Sequence, residues 1–279
     1  MEATMLRLLQ QEMRSRRGAI IGWGLGLSFF PVVYLSLYPT VAEEMSSFQS
    51  LMELPIYQAM GMTLASFEGF VASTVTNLVP VLLCIYAVMA GVGTLAGEEE
   101  NGRLELIAAL PIPRWQIVTV KAIAIGLALF LILLIVGTAS ALTFMAIESQ
   151  VETAVTPLSL LFNLLAAWPV AMAVGMISLF LGAFCPTRRV AAVIAGVIVA
   201  TGYFGSNLAG MISSLEKARK LFLFTYYEAT ADALVSGQQP GNMLVLLVVA
   251  LIAYGSAVYF FRRRNLTVGE WPWHKAKPA

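Results

Sequence analysis

The chain has little charge. Of its 279 residues only 12% are Asp, Glu, Lys or Arg, about half the roughly 25% of an ordinary soluble domain. Hydrophobic residues make up 59% and the mean hydropathy is +0.81. These values exclude a soluble globular enzyme and a disordered chain. Histidine is almost missing, with His274 the only one. Metal sites and intramembrane catalysis that need several histidines are therefore excluded, and neither a metal-ligand set nor a catalytic residue is expected. The two cysteines, Cys84 and Cys185, are too few for a disulfide framework or a zinc site. Both are expected to be inert. A formal net charge of +1 gives no overall attraction to nucleic acid.

Charge is also missing locally. Six runs contain no Asp, Glu, Lys, Arg or His: 18–42, 69–97, 122–147, 153–187, 190–215 and 233–261. A helix crosses the bilayer core with about 20 apolar residues, so each run is long enough to cross once. The expected spans are roughly 18–38, 70–95, 118–142, 158–184, 190–211 and 242–261. Helices are the only option for these runs, because open backbone is not satisfied in lipid. They also lack the alternation of a barrel. The first run exceeds the about 7–15 residue core of a signal peptide, and a retained span is expected.

Orientation follows from the basic residues. With the N-terminus inside, all but three of the 17 lysines and arginines lie on the inner side; the exceptions are Lys217, Arg219 and Lys220. Both termini are then inside. Residues 1–17 read as an amphipathic helix, with Met5, Leu8, Leu9 and Met13 on one face. Segment 43–68 reads as an acidic external helix broken at Pro55. The external segment 213–241 carries Leu221, Phe222, Phe224, Tyr226 and Tyr227. Its composition favours an interfacial aromatic belt over a lid or re-entrant hairpin. Trp271 and Trp273 read as an aromatic anchor.

The loop between spans two and three is the most informative stretch. Glu98, Glu99 and Glu100 stand at the N-terminal side of a short helix, where the helix dipole favours negative charge. Asn101 suits the N-cap and Pro111 stops the helix. Residues 102–110 make a rod of about 13 Å at about 1.5 Å per residue. A short, stiff, two-faced helix between long spans suits a lever that would pass motion from a soluble partner into the membrane.

This loop resembles that of membrane subunits of type-2 ATP-binding-cassette (ABC) exporters. The resemblance rests on Glu99, Glu100, Gly102, Leu104, Glu105, Leu106, Pro111, Arg114 and Lys121. Arg103 stands where the family commonly has a small hydroxyl residue, and Pro113 where it commonly has serine. The resemblance implies an all-helical membrane protein with six transmembrane helices and both termini inside. It implies an N-terminal connecting helix (1–17), a coupling helix within 98–114 and an external helical hairpin before the last span (213–241). All of these belong to a single permease domain over 1–279. The coupling helix would meet an ABC ATPase subunit through Glu99, Glu100, Gly102, Arg103, Glu105, Leu106, Leu110, Pro111 and Arg114.

By the same resemblance, the implied complex pairs two permeases, identical or not, with two ATPase copies in the cell (plasma or inner) membrane. ATP and magnesium belong to the ATPase. No lysine of this chain follows a glycine, so there is no P-loop of its own.

Polar residues within the spans are few: Thr74, Thr76, Asn77, Asn163 and Asn207. Asn77, three residues before Pro80, marks a kinked polar stretch. By resemblance, spans two and five line the translocation route, with Thr74, Asn77, Tyr203, Phe204 and Asn207 as its expected residues. Interhelical hydrogen bonding is the competing role for these side chains. Aromatics with a few amides suit an amphipathic or lipid-like substrate. Two other readings are an ion- or proton-coupled secondary transporter and a non-transporting membrane scaffold. The first needs intramembrane ionisable groups, and none is expected deep in any span. Gly18, Gly22 and Gly26 form a small-residue stripe on span one, expected to pack within the chain.

Overall fold

The structure is a computed structural model that describes residues 2–45, 66–100, 113–151, 153–211 and 216–263. Among these residues every regular element is a helix, and six helical segments are long and apolar enough to cross a membrane: Met5–Ala42, Phe67–Glu98, Arg114–Gln150, Pro157–Phe184, Arg188–Gly210 and Pro240–Arg263. Each contains one of the expected spans, to within a residue at its ends. Most of segment 43–68, the rod 102–110 and the anchor Trp271–Trp273 lie outside the described residues.

The first helix, α1 (Glu2–Met45), has 44 residues and extends about 66 Å at about 1.5 Å per residue. That is twice the roughly 30 Å core of a bilayer. The amphipathic N-terminal stretch is therefore continuous with the first span. Ile20, Leu27 and Leu35 are buried along one face, spaced close to two turns apart as a helix requires. Span two is built in three pieces: α2 (Phe67–Val71), a π-turn (Ala72–Thr76) and α3 (Leu78–Glu100). The third span is α4 (Arg114–Ile147). The fourth is broken into α5 (Pro157–Leu165) and α6 (Trp168–Phe184), because Pro169 lacks the N–H to carry the helix across the junction. Thr156 caps α5 reciprocally with Ser159. The fifth is α7 (Arg188–Met211). The sixth, α10 (Pro240–Arg263), follows two short helices, α8 (Glu216–Arg219) and α9 (Ala231–Ser236).

The core lies where α3, α4 and α6 meet, around Leu83, Ile125, Leu129, Ile132, Leu133 and Leu179. The expected intramolecular role of the Gly18–Gly22–Gly26 stripe is not what the structure has. A Cβ at any of the three would meet nothing within 4 Å. Spacing marks a small-residue face without saying which neighbour fills it, and α1 instead turns Gly24 onto Ile135 of α4. A close helix crossing in the core, backbone against backbone, is at Gly91 of α3. A Cβ there would lie 2.6 Å from both the Gly175 carbonyl oxygen and Ser178 Cβ of α6.

A side chain at 91 must push two helices apart, whereas one at 26 stands in open space. Gly91→Val is expected to destabilise the purified protein by about 1–3 kcal/mol, the usual cost of overpacking a core. Gly26→Val should leave thermal unfolding in detergent near wild type. Equal shifts for the two would show that the Gly91 crossing is not as close as described.

Candidate functional site

Two constellations stand out, one at each end of the bundle. At the end bearing Glu2, Arg263 and the flanks of 101–112, Lys121 of α4 is buried at 2% exposure. Its Nζ donates to Glu12 Oε1 of α1 at 2.8 Å and to Glu98 Oε2 of α3 at 2.7 Å. Arg16, one turn on from Glu12, lies 3.5 Å from its other oxygen and donates to Thr94 Oγ1 at 2.6 Å. Two bases and two acids cancel, so the cluster is formally neutral. A buried ammonium without partners would be strongly disfavoured, and here two carboxylates hold it. Lys121 stands near the start of the third span and not deep within it. The residue was visible at the start of span three, but its partners come from α1 and α3 and only the fold brings them together.

The same end carries the expected ATPase contacts. Glu100 Oε1 accepts from the backbone N–H of Arg188 at 2.9 Å, at the N-terminus of α7, where negative charge is favoured. This carboxylate is thus already used in joining spans two and five. Arg114 is half-buried in the first turn of α4, and Glu99 lies in the last turn of α3. Gly102, Arg103, Glu105, Leu106, Leu110 and Pro111 lie outside the described residues.

At the opposite end, the kink expected from Asn77 and Pro80 is a π-turn, in which Asn77 N–H reaches back to Ala72 O at 3.0 Å. Such turns are frequent at functional sites. Pro80 has no N–H to give the Thr76 carbonyl. The Tyr227 hydroxyl, from the segment before α10, donates to that carbonyl at 3.1 Å. Burial pushes the Tyr227 phenol above its ordinary pKa, so it keeps its proton and its donor role. Tyr203 Oη of α7 donates to Asn77 Oδ1 at 2.7 Å. Phe224 is buried against Tyr203, ring edge to face at 5.6 Å. Asn163 of α5 donates to Ala233 O of α9 at 2.9 Å. The segment before the last span is therefore docked on spans two, four and five by buried contacts. This corrects the expected interfacial belt, whose aromatic composition did not say that Phe224 and Tyr227 turn inward.

Under this segment lies a cavity of about 150 Å³ lined by Asn77, Tyr203 and Asn207 among others. The structure thus brings together three of the five expected route residues. Thr74 is held by its own backbone, donating to Phe70 O at 2.6 Å. Phe204 is 63% exposed on a neighbouring strip of α7. Neither lines the cavity. Sequence reading missed Tyr227, Arg219 and Glu228; a proline that frees a carbonyl, followed far downstream by an aromatic-rich segment, was the available signal for the first.

Removing Lys121 alone should leave two carboxylates facing each other. Lys121→Met is expected to cost about 3–5 kcal/mol. The double change Glu98→Gln, Lys121→Met removes one charge of each sign, leaves Arg16 facing Glu12 and should recover much of that loss. Thermal unfolding in non-ionic detergent measures both. A double variant no more stable than Lys121→Met would contradict a charge-paired cluster.

A search of curated proteins finds no match. The chain does match the family described as "ABC-2 family transporter protein" over residues 6–266, nearly its full length and including both constellations. With six apolar helices able to cross a membrane and this match, the chain belongs to the ABC-2 transporter family and is a multi-pass membrane protein of transport-subunit type.

Proposed function

We propose that this chain is the route-forming permease of an ATP-driven exporter, with both termini and the 98–114 loop in the cytoplasm. It pairs with a second permease, because one six-span chain encloses only half a route, and with two ATPase subunits that bind ATP and magnesium. The loop is the ATPase contact, and the substrate is amphipathic or lipid-like.

One observation carries this reading. Lys121 ties α1, α3 and α4 together at the two roots of the 101–112 segment. An element pushed there does not move one helix alone. Displacement passes into three spans at once, because breaking the cluster would strand a buried charge. The Glu100 contact with α7 extends the linkage to span five. The far end has no ion pair among the described residues; there Tyr203 donates to the Asn77 amide, Tyr227 to the Thr76 carbonyl and Asn163 to the Ala233 carbonyl. Neutral hydrogen bonds of this kind contribute about 1 kcal/mol each. Stiff at the driven end and lightly latched at the other, the bundle opens at the Asn77–Tyr203 latch when the ATPases close. On this reading the route passes Asn77, Tyr203 and Asn207, with Thr74 and Phe204 beside it.

The test is co-expression of the chain with its ATPase. Leu106→Asp puts an unpaired charge into a packed contact, and Glu105→Arg reverses a charge at it. Both variants are expected to lower ATPase copurification about tenfold or more with membrane insertion unchanged, as a loss of about 1.4 kcal/mol or more gives. Arg189→Ala, at an exposed residue outside the loop, should change little. Normal assembly and coupled hydrolysis in both loop variants would remove the loop from the ATPase interface.

A further inference from the structure

We propose that the cavity under the segment before α10 binds a zwitterionic headgroup, an ammonium linked to a phosphate or carboxylate. This is the chemistry shared by many lipid headgroups and by small free zwitterions. The proposal rests on the reading that this end of the bundle lies on the route.

Size sets the first limit. At about 150 Å³ the cavity is smaller than the roughly 300–1,000 Å³ of a site that encloses a whole drug-sized ligand. It takes a headgroup and leaves any tail outside. Charge sets the second. Arg219 and Glu228 both line the cavity, and neither makes an ion pair among the described residues. Glu228 is nevertheless held in place. Its Oε1 accepts from Asn242 Nδ2 at 2.9 Å, and its backbone pairs twice with the Gln238 side chain, at 2.9 and 2.6 Å. The backbone of Arg219 is fixed by Thr225 Oγ1, which donates to its carbonyl at 2.7 Å.

A cation alone would meet Glu228 and be opposed by Arg219. An anion alone would meet the reverse. A ligand with both charges satisfies both residues, and discrimination comes from the mismatched charge as much as from the matched one. Tyr203 and Phe224 add aromatic rings to the lining, and ring faces attract an ammonium. Asn77 and Asn207 supply amides for a phosphate or carboxylate. A lipid tail has a place too. Phe204 and Leu208, each one residue after a cavity-lining residue of α7, are 63% and 51% exposed. They form an apolar strip about 100° round the helix from Tyr203 and Asn207, at about 3.6 residues per turn.

The test titrates the full chain, purified in non-ionic detergent without its ATPase, with phosphocholine, choline and inorganic phosphate, followed by calorimetry. Phosphocholine should bind more tightly than either fragment. Arg219→Gln and Glu228→Gln should each weaken it about tenfold, the factor that about 1.4 kcal/mol gives. Arg219→Gln should weaken phosphate and tighten choline, and Glu228→Gln should weaken choline and tighten phosphate. Unchanged thermal unfolding of both variants separates loss of binding from loss of fold. A short-chain phosphatidylcholine below its micelle concentration distinguishes the two sources. Tighter binding than phosphocholine, lost in Phe204→Ser, identifies a lipid headgroup, while equal binding identifies a free zwitterion. No phosphocholine binding by the folded wild type, or binding unchanged in both variants, overturns the proposal. Because the ATPase is absent, that outcome leaves the coupling role of the 98–114 loop standing, and failure of that role leaves the binding result standing.

Discussion

A lysine enclosed by apolar helices must find negative charge within hydrogen-bond reach, and this requirement organises one whole end of the molecule. Lys121 is met by Glu12 from α1 and Glu98 from α3. The two helices are thereby fixed in register with α4. Glu12 is drawn onto Lys121 only because α1 continues past the membrane core as one helix, so its charged N-terminal stretch stays aligned with its apolar span. Arg16 then follows on the same face and reaches Thr94. A buried pair of this kind is weak evidence of net stability, but it is good evidence of a fixed arrangement. Each partner forbids the other to drift.

The other end is governed by a missing hydrogen bond. Pro80 withholds a donor from the Thr76 carbonyl, and the π-turn just before it shifts the backbone by one residue. The chain recovers the lost bond from a residue 151 positions away, Tyr227. That bond helps dock the segment before the last span, encloses the cavity and sets Phe224 against Tyr203. A proline in span two thus shapes the surface over span five. Among the described residues the contacts here include no ion pair, in contrast to the charged cluster at the other end. The two ends of one bundle are held by different chemistry, which can be named residue by residue.

Much of the fold is legible in the sequence because lipid is an exacting solvent. Charge-free runs of 25 residues or more mark the spans, and Asn77 with Pro80 marks the kink. What the sequence does not show is anything that needs two helices at once. Lys121 could be seen at the start of a span, but Glu12 lies 109 positions away and Glu98 in another helix. The glycines at 18, 22 and 26 looked like an internal contact, because their spacing describes a face and not its neighbour. The aromatics of 221–227 looked like a belt, because composition does not say which rings turn inward. Of the expected route residues, Asn77, Tyr203 and Asn207 converge because they share one end of two packed helices; Thr74 is satisfied by its own turn and Phe204 points round the helix.

In the proposed mechanism, motion enters at the Lys121 end and opens the Asn77–Tyr203 latch. The most direct measurement is thiol cross-linking of a variant carrying Asn77→Cys and Tyr203→Cys, in complex with its ATPase, using a short bifunctional reagent. The native Cys84 and Cys185 are buried and leave the signal clean. Cross-linking should be efficient in the nucleotide-free complex and fall sharply when ATP and vanadate trap the closed ATPases. The same yield in both states would mean that this end stays shut through the cycle, and the account would be wrong.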